Sequence, residues 1–309
     1  MSFISIVTPT FNEQDNIEKF CLAVQLEMKK NSLDYEHIVI DNHSTDKTPE
    51  IVKNLISKDK KLKLIINNKN YGHLNSPVYG ICQAKGDAVI LLNSDFQDPP
   101  NLINTIISRW QTGKKIVLLQ KKNTEETGVL NFSRRFFYWI LKKTSSTPLT
   151  ENTTGSGLFD QSIVNEIKKL NDPCPYFRGL VADIGPKIDL VEFDQPKRKY
   201  GETKNNIFTL IDTAFLAIVK HSKWPLRFMT ILGSVISIIS ISLAILFFIL
   251  KLLLWNTFDF GIAPVLIGIF AIGGFQILFL GLLGEYIGVI LSHVRKLPLV
   301  VEKERVNFD

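Results

Sequence analysis

The chain has 309 residues, with 36 Lys and Arg against 30 Asp and Glu, a net charge of +6 and 45% hydrophobic residues. That length suits one large domain plus an appendage. The three cysteines (Cys21, Cys82 and Cys174) form no CxxC or Cys/His cluster, which argues against a disulfide scaffold or a structural zinc site and leaves them as reduced packing residues.

In chain order, Ile4–Val7 reads as a short buried strand ending at Thr8-Pro9-Thr10. A helix is predicted from Asn12 or Asp15 to about Lys30. Tyr35–Ile40 forms a second strand ending on Asp41. Ser44, Thr45 and Asp46 are cap-type residues, and Pro49 fits the first turn of a helix reaching Ser57. Leu62–Ile66 is a third strand, Ser76–Ala84 a helix and Asp87–Leu92 a fourth strand. Strands alternating with helices at this spacing predict a parallel sheet covered on both faces.

Further on, Leu130–Lys143 mixes aromatics with cations and is too short and charged to span a bilayer. It is predicted to be an interfacial helix. Ile207–Lys220 places Ile207, Leu210, Ile211, Ala214, Phe215 and Ile218 on one face, a second interfacial candidate. Phe228–Leu250 and Ile262–Leu283 are almost wholly apolar. Each has the ~20 residues needed to cross ~30 Å of hydrocarbon. Phe3–Val7 is too short for a signal-peptide core. Lys220, Lys223 and Arg227 precede the first span, and Arg295 and Lys296 follow the second. The positive-inside rule then places both chain ends in the cytosol. With two spans, anionic lipid headgroups account for the basic excess, and nucleic acid is not expected.

The expected layout is a catalytic domain over 1–205 containing the 130–143 interfacial helix, and an amphipathic helix over 206–222. Two spans follow within 223–291 (about 228–250 and 262–290), and then a cytosolic tail over 292–309.

Open parallel sheets bind ligands beyond the carboxyl ends of their strands. Three such ends carry polar groups: Thr8-Pro9-Thr10 with Glu13, Asp41, and Asn93-Ser94-Asp95. A carboxylate at such a position suits Mg²⁺ or Mn²⁺ held against a diphosphate. Asp95 is the expected ligand. Asp98, ahead of Pro99, reads as a helix N-cap.

These segments carry a family resemblance. Pro9-Thr10-Phe11-Asn12-Glu13, Val39-Ile40-Asp41-Asn42-His43-Ser44-Thr45-Asp46 and Ser94-Asp95-Phe96-Gln97-Asp98-Pro99-Pro100 resemble motifs of family 2 glycosyltransferases, in particular their polyprenyl-phosphate branch. Arg198, Gly201, Glu202, Thr203 and Lys204 look like that branch's Arg-x-x-Gly-Glu-Ser-Lys stretch. Gly274-Phe275-Gln276 and Leu280-Gly281-Leu282-Leu283-Gly284-Glu285-Tyr286-Ile287-Gly288 look like its second span. The resemblance implies an α/β GT-A (Rossmann-like) domain with interfacial helices and two C-terminal transmembrane helices. It implies a nucleotide-sugar donor, read as a UDP-sugar, and a polyprenyl-phosphate acceptor at the inner membrane, with self-association left open. Asp41, Pro9 and Glu13 would line the nucleotide pocket, Asp95 and Gln97 would bind metal, Arg198 and Lys204 would meet phosphates, and Arg134 or Arg135 would meet the lipid phosphate.

Two positions depart from the pattern. Asn93 replaces the first acid of the usual metal motif. Gly155, in Thr154-Gly155-Ser156-Gly157-Leu158-Phe159-Asp160, stands where an Asp thought to act as base is expected. Asp160 is the weak substitute. A phosphomonoester acceptor, with a second pKa near ~6, is largely dianionic at neutral pH and needs no base. The alternatives at this point are a catalytically silent scaffold, favoured by Asn93 and Gly155, and a flippase accessory that only binds nucleotide-sugar.

Overall fold

A computed structural model describes residues 2–31, 33–122, 143, 150, 152–185, 187–196, 207–253 and 262–308. The described strands are β1 (Phe3–Thr10), β2 (Asp34–Asp41), β3 (Leu62–Asn67), β4 (Ala88–Leu91), β5 (Ile116–Lys121), β6 (Thr153–Asp160), β7 (Asp189–Phe193) and β8 (Glu302–Val306). They form one sheet in the order β7-β5-β6-β4-β1-β2-β3-β8.

The central β4-β1-β2-β3 strands are parallel, as the alternation predicts, because their crossovers are helices. The full sheet is mixed: β6 runs antiparallel to β4 and β5, and β8 antiparallel to β3. Nearly continuous apolar strands give two buried faces. One packs against α3 (Gly72–Gln83), α5 (Gln161–Leu170) and α6 (Phe177–Ile184), around Val7, Ile40, Ile81, Phe159 and Val181. The other packs against α1 (Ile17–Asn31) and α4 (Ile103–Gln111), around Phe20, Val24, Ile90 and Ile106. The remaining helix of this part, α2 (Thr48–Ile56), closes a third cluster with Ile17, Val39 and Leu64. Helix α3 starts four residues ahead of the predicted Ser76, at Gly72 with φ +80°, and contains Pro77.

Helix α7 (Ile207–His221) leads into α8 (Trp224–Leu253), and α9 is Ile262–Arg295. Windows of α8 and α9 reach mean hydropathies of 2.6 and 2.1 with no residue buried within the chain, the profile of helices able to cross a membrane. At 1.5 Å per residue the 34 residues of α9 extend about 51 Å, well beyond ~30 Å of hydrocarbon. Its C-terminal part lies beside the sheet domain. Tyr286 Oη donates to Ser222 O at 2.9 Å, and His293 Nε2 lies 3.5 Å from Asp172 Oδ1. Lys220 Nζ from α7 binds Asp172 Oδ2 at 2.5 Å and Cys174 O at 2.6 Å.

The segment read from sequence as a tail then returns as β8. Strand β8 covers the β3 edge, held by Asn307 Nδ2 to Leu62 O (2.7 Å) and Lys60 O (2.9 Å), Tyr79 Oη to Glu302 (2.9 Å) and Lys53 to Glu304 (2.7 Å). An unpaired edge would otherwise template aggregation. The predicted interfacial helix over 130–143 lies outside the described residues, apart from Lys143.

Candidate active site

The carboxyl ends of β1, β2 and β4 are brought level by register. Thr10 pairs with Asp41, Val7 pairs with Leu91, and Leu92 N donates to Val7 O at 3.1 Å. Each following loop contains a non-glycine residue in the left-handed region: Asn12 (φ 54°), His43 (φ 67°) and Phe96 (φ 60°). Such conformations cost energy and persist where surrounding bonds dictate them. Here they do. Asn12 N donates to Ser44 Oγ (2.8 Å), and Thr45 N donates to Asn12 Oδ1 (2.7 Å). Ser94 Oγ donates to Pro9 O (3.3 Å), tying the β4 loop to the β1 end.

Asp41 is fully buried. Its Oδ2 accepts from Ser44 N at 2.9 Å, while Oδ1 has no hydrogen-bond partner among the described residues. Burial pushes its carboxyl pKa up despite the Ser44 bonds. An orphaned oxygen on the last residue of a strand suits a ligand N–H such as that of a nucleobase. Glu13 is held beneath the loop: its N–H donates to Thr48 Oγ1 (2.9 Å) and its carboxylate accepts from Asn16 Nδ2 (2.6 Å). Asn42, which sequence reasoning passed over, organises the next loop. Its Oδ1 accepts from Asn67 Nδ2 and Tyr71 N, and its Nδ2 donates to Asn70 Oδ1 and Gly72 O. The run of Asn at 67, 68 and 70 was the available signal.

At the β4 end, Asp95 is half-buried and accepts from Gln97 N at 3.1 Å. Asp98 is buried, and it does not cap a helix. The 3₁₀ turn Pro100–Leu102 begins with Pro99 at the N-cap and no side-chain cap. Asp98 Oδ2 instead accepts from Ser156 Oγ (2.5 Å) and Asn93 Nδ2 (2.9 Å). The cause is tertiary: β6 lies beside β4 and supplies a hydroxyl closer than any helix N–H. Burial raises the Asp98 pKa, the Ser156 bond opposes it, and the nearby Asp95 charge adds to the rise. The Asp95 and Asp98 carboxylates interact across this loop, and oxygen ligands of this kind are those a hard divalent cation takes, so their chemistry fits Mg²⁺ or Mn²⁺.

Asp160 lies elsewhere. It pairs with Ala88, at the amino end of β4, and caps α5 by accepting from Ser162 N (3.0 Å) and Trp110 Nε1 (2.9 Å). It is remote from the strand-end site because β6 runs antiparallel and carries it to the opposite end of the strands. Arg134, Arg135, Arg198 and Lys204 lie outside the described residues. A described cation that sequence reasoning missed, Arg178 of α6, donates to Thr154 O at 3.4 Å beside Gly155.

The sequence profile of "Glycosyl transferase family 2" matches residues 5–167, which hold the β1–β4 frame apart from the first two residues of β1, and the three loops above. The chain belongs to glycosyltransferase family 2. It is an enzyme of the GT-A α/β fold with two long apolar C-terminal helices. This glycosyltransferase is 33% identical over 297 residues to an uncharacterized glycosyltransferase of Synechocystis, covering 96% of this chain and 93% of that one. It is 30% identical over 304 residues to the prophage bactoprenol glucosyl transferase homolog of Escherichia coli (97% and 98% covered). It is also 30% identical over 302 residues to the bactoprenol glucosyl transferase of Shigella phage SfII (97% of each). Among solved structures it is similar to glucosyl-3-phosphoglycerate synthase from Mycobacterium tuberculosis in complex with Mn²⁺, UDP and glucosyl-3-phosphoglycerate. That likeness has 19% identity and a TM-score of 0.45, with 71% and 78% of the chains covered.

Proposed function

We propose that this glycosyltransferase moves a sugar from a UDP-sugar to a polyprenyl monophosphate, with inversion, at the cytosolic face of the inner membrane. The observation that carries the reading is the joining of site and hairpin. The chain leaves the sheet domain through α7 into α8, and α9 returns beside it, Tyr286 against Ser222, before β8 joins the sheet. Both ends of the apolar hairpin therefore meet the domain that holds the strand-end site, which suits an acceptor whose tail stays in lipid. The full-length likeness to proteins named bactoprenol glucosyl transferase supports the same acceptor class. The basic residues Lys223, Arg227, Arg295 and Lys296 flanking the hairpin support the cytosolic orientation.

In this reading Asp41 Oδ1 receives the base N–H, with Pro9 and Glu13 framing the pocket. Asp95 and Gln97 would hold Mg²⁺ or Mn²⁺, which supplies charge neutralisation for the departing diphosphate. Asn93 positions Asp98 rather than binding metal itself. Arg198 and Lys204 are assigned to donor phosphates, and Arg134 or Arg135 to the lipid side, on the resemblance of their motifs. An acceptor phosphate oxygen attacks the anomeric carbon as the bond to the diphosphate breaks, its electron pair leaving on the diphosphate oxygen. A dianionic nucleophile gives up no proton, so Gly155 is compatible with turnover.

The test is mass spectrometry of lipid products from membranes given a panel of nucleotide-sugars, with and without EDTA. A glycosyl-phosphoryl-polyprenol formed from one UDP-sugar and lost on chelation is the expected result. Absence of any glycosyl-lipid across the panel, with donor bound, would sink the proposal.

A further inference from the structure

Lys220 stands in the sequence among the cations that precede the first span, yet the fold buries it. Its side chain is 9% exposed, and lysine is seldom buried without partners. An ammonium has three donors, and this one meets three oxygens: Asp172 Oδ1 at 2.7 Å, Asp172 Oδ2 at 2.5 Å and Cys174 O at 2.6 Å. All three lie in the loop that joins α5 to α6. Asp172 is held in place beforehand, because its Oδ1 also accepts from Cys174 N at 3.1 Å. Pro173 and Pro175 stiffen the loop on either side of Cys174.

Asp172 serves both legs of the apolar hairpin. Lys220 lies four residues before α8 begins. From α9, His293 Nε2 reaches Asp172 Oδ1 at 3.5 Å. Tyr286, about two turns earlier on α9, donates to Ser222 O at 2.9 Å. A cavity of about 330 Å³ lies between these elements, lined by Leu180, Val219, Tyr286, Val289 and Ile290 among others. Close packing is therefore incomplete at this joint, and the directional polar contacts decide how the hairpin stands against the sheet domain. Asp172, Cys174 and His293 also bring ligand atoms within 4.8 Å of one another. The Lys220 ammonium already supplies the positive charge there, so the cluster reads as an ion-paired joint.

Packed side chains connect this joint to the strand-end site. Phe177, at the start of α6, packs edge-on against Phe159 of β6 with ring centroids 5.1 Å apart. The same strand carries Ser156, whose hydroxyl holds Asp98 at 2.5 Å. On α6, a Cβ added at Gly179 would stand 2.1 Å from His221 Nε2, so α6 and the end of α7 meet closely.

We propose that Asp172 and Lys220 are positioning residues that fix the height of the strand-end site over the bilayer, matching it to a phosphate whose own depth is set by its lipid tail. The inference rests on the lipid-acceptor reading above. An embedded acceptor cannot travel along the membrane normal to find the site, and a misplacement of ~1 Å can cost about 100-fold in rate. A short acceptor dissolved in water carries no such restriction. Neither residue takes part in bond making.

The experiment uses the full chain in phosphatidylethanolamine/phosphatidylglycerol vesicles and compares two acceptors. One is a long-chain polyprenyl monophosphate in the bilayer, the other geranyl monophosphate added from water. Lys220→Met is expected to lower kcat on the embedded acceptor at least about tenfold, while geranyl monophosphate turnover and the UDP Kd stay within about twofold. Lys220→Arg should recover part of the loss. The double variant Lys220→Met with Asp172→Asn buries no lone charge, and it should remain defective on the embedded acceptor alone. Hydrogen exchange reads the joint without turnover: Lys220→Met should exchange faster over 171–176, 219–222 and 286–295, with β1–β4 unchanged. Equal losses on both acceptors, full recovery in the double variant, or unchanged exchange would overturn the proposal. Should Lys220→Met not fold, or the wild type not take geranyl monophosphate, the double variant and its exchange decide. Wild-type protein that forms no glycosyl-lipid from either acceptor would count against the proposed function, and exchange alone would then uphold or overturn the joint.

Discussion

Asn93 Nδ2 donates to Asp98 Oδ2 at 2.9 Å, so the amide standing in place of a metal-site acid holds the neighbouring carboxylate in its buried position. Asn93→Asp would put a second negative charge against Asp98, whose pKa burial and Asp95 already raise. Replacing this donor with a like charge is expected to cost about 1–3 kcal/mol. The readout is thermal melting in EDTA. Added Mn²⁺ should narrow the gap to wild type. An unchanged Tm in EDTA would show that the Asn93 bond contributes little.

Asp95 is half-buried and, among the described residues, takes a single bond, from Gln97 N. Asp95→Ala should therefore leave membrane insertion and Tm nearly intact. It should lower metal-dependent turnover by at least about 100-fold, the scale of losing one preorganised charge contact. Normal turnover in the variant would remove Asp95 from the mechanism.

Asp41→Asn keeps shape while replacing the orphan carboxylate. The expected outcome is a UDP Kd raised about tenfold, or ~1.4 kcal/mol, by calorimetry. Stability should move the other way. The folded-state pKa of Asp41 lies above its unfolded value, so the folded state binds the proton more readily between the two, and stability falls as pH rises through that window. At neutral pH the variant escapes this penalty. Unaltered UDP binding would place the base elsewhere.

His37 lies buried in β2 with Nε2 2.9 Å from Thr8 Oγ1, and burial lowers its pKa to about 4. From the ordinary 6.5 down to about 4, the unfolded chain binds more protons than the folded one. Stability is therefore fully present above 6.5 and is lost as pH falls toward 4, by on the order of 3 kcal/mol. Urea midpoints at pH 7 and pH 4.5 measure this, and His37→Gln should flatten the difference. Equal pH slopes for the two proteins would contradict it.

Strand β8 covers the β3 edge through residues far downstream in the chain. Deleting 302–309 is expected to lower Tm by several degrees, consistent with losing several hydrogen bonds at ~1 kcal/mol each. It should also raise the aggregated fraction on size exclusion, since an open edge recruits other strands. A monodisperse truncated protein with native Tm would show that the edge needs no cover.

The sequence by itself determined the parallel β1–β4 frame, the two long apolar helices and the acids at the strand ends. Each depends on a local pattern: apolar runs with a strand or helix period, and a polar break where a run stops. Tertiary structure alone decided the rest. Asp98 read as a cap beside its proline, but Ser156, 58 positions away, reaches it first. Asp160 sat five residues from Gly155 in the chain, yet an antiparallel β6 carries it to the amino end of β4, opposite the strand-end site. Arg178 meets Gly155 through the packing of α6 on that strand, and β8 closes the β3 edge through Asn307, which lies 245 residues beyond its partner Leu62. Periodicity reports which face of an element is buried, while strand direction and register decide which distant side chains share a site.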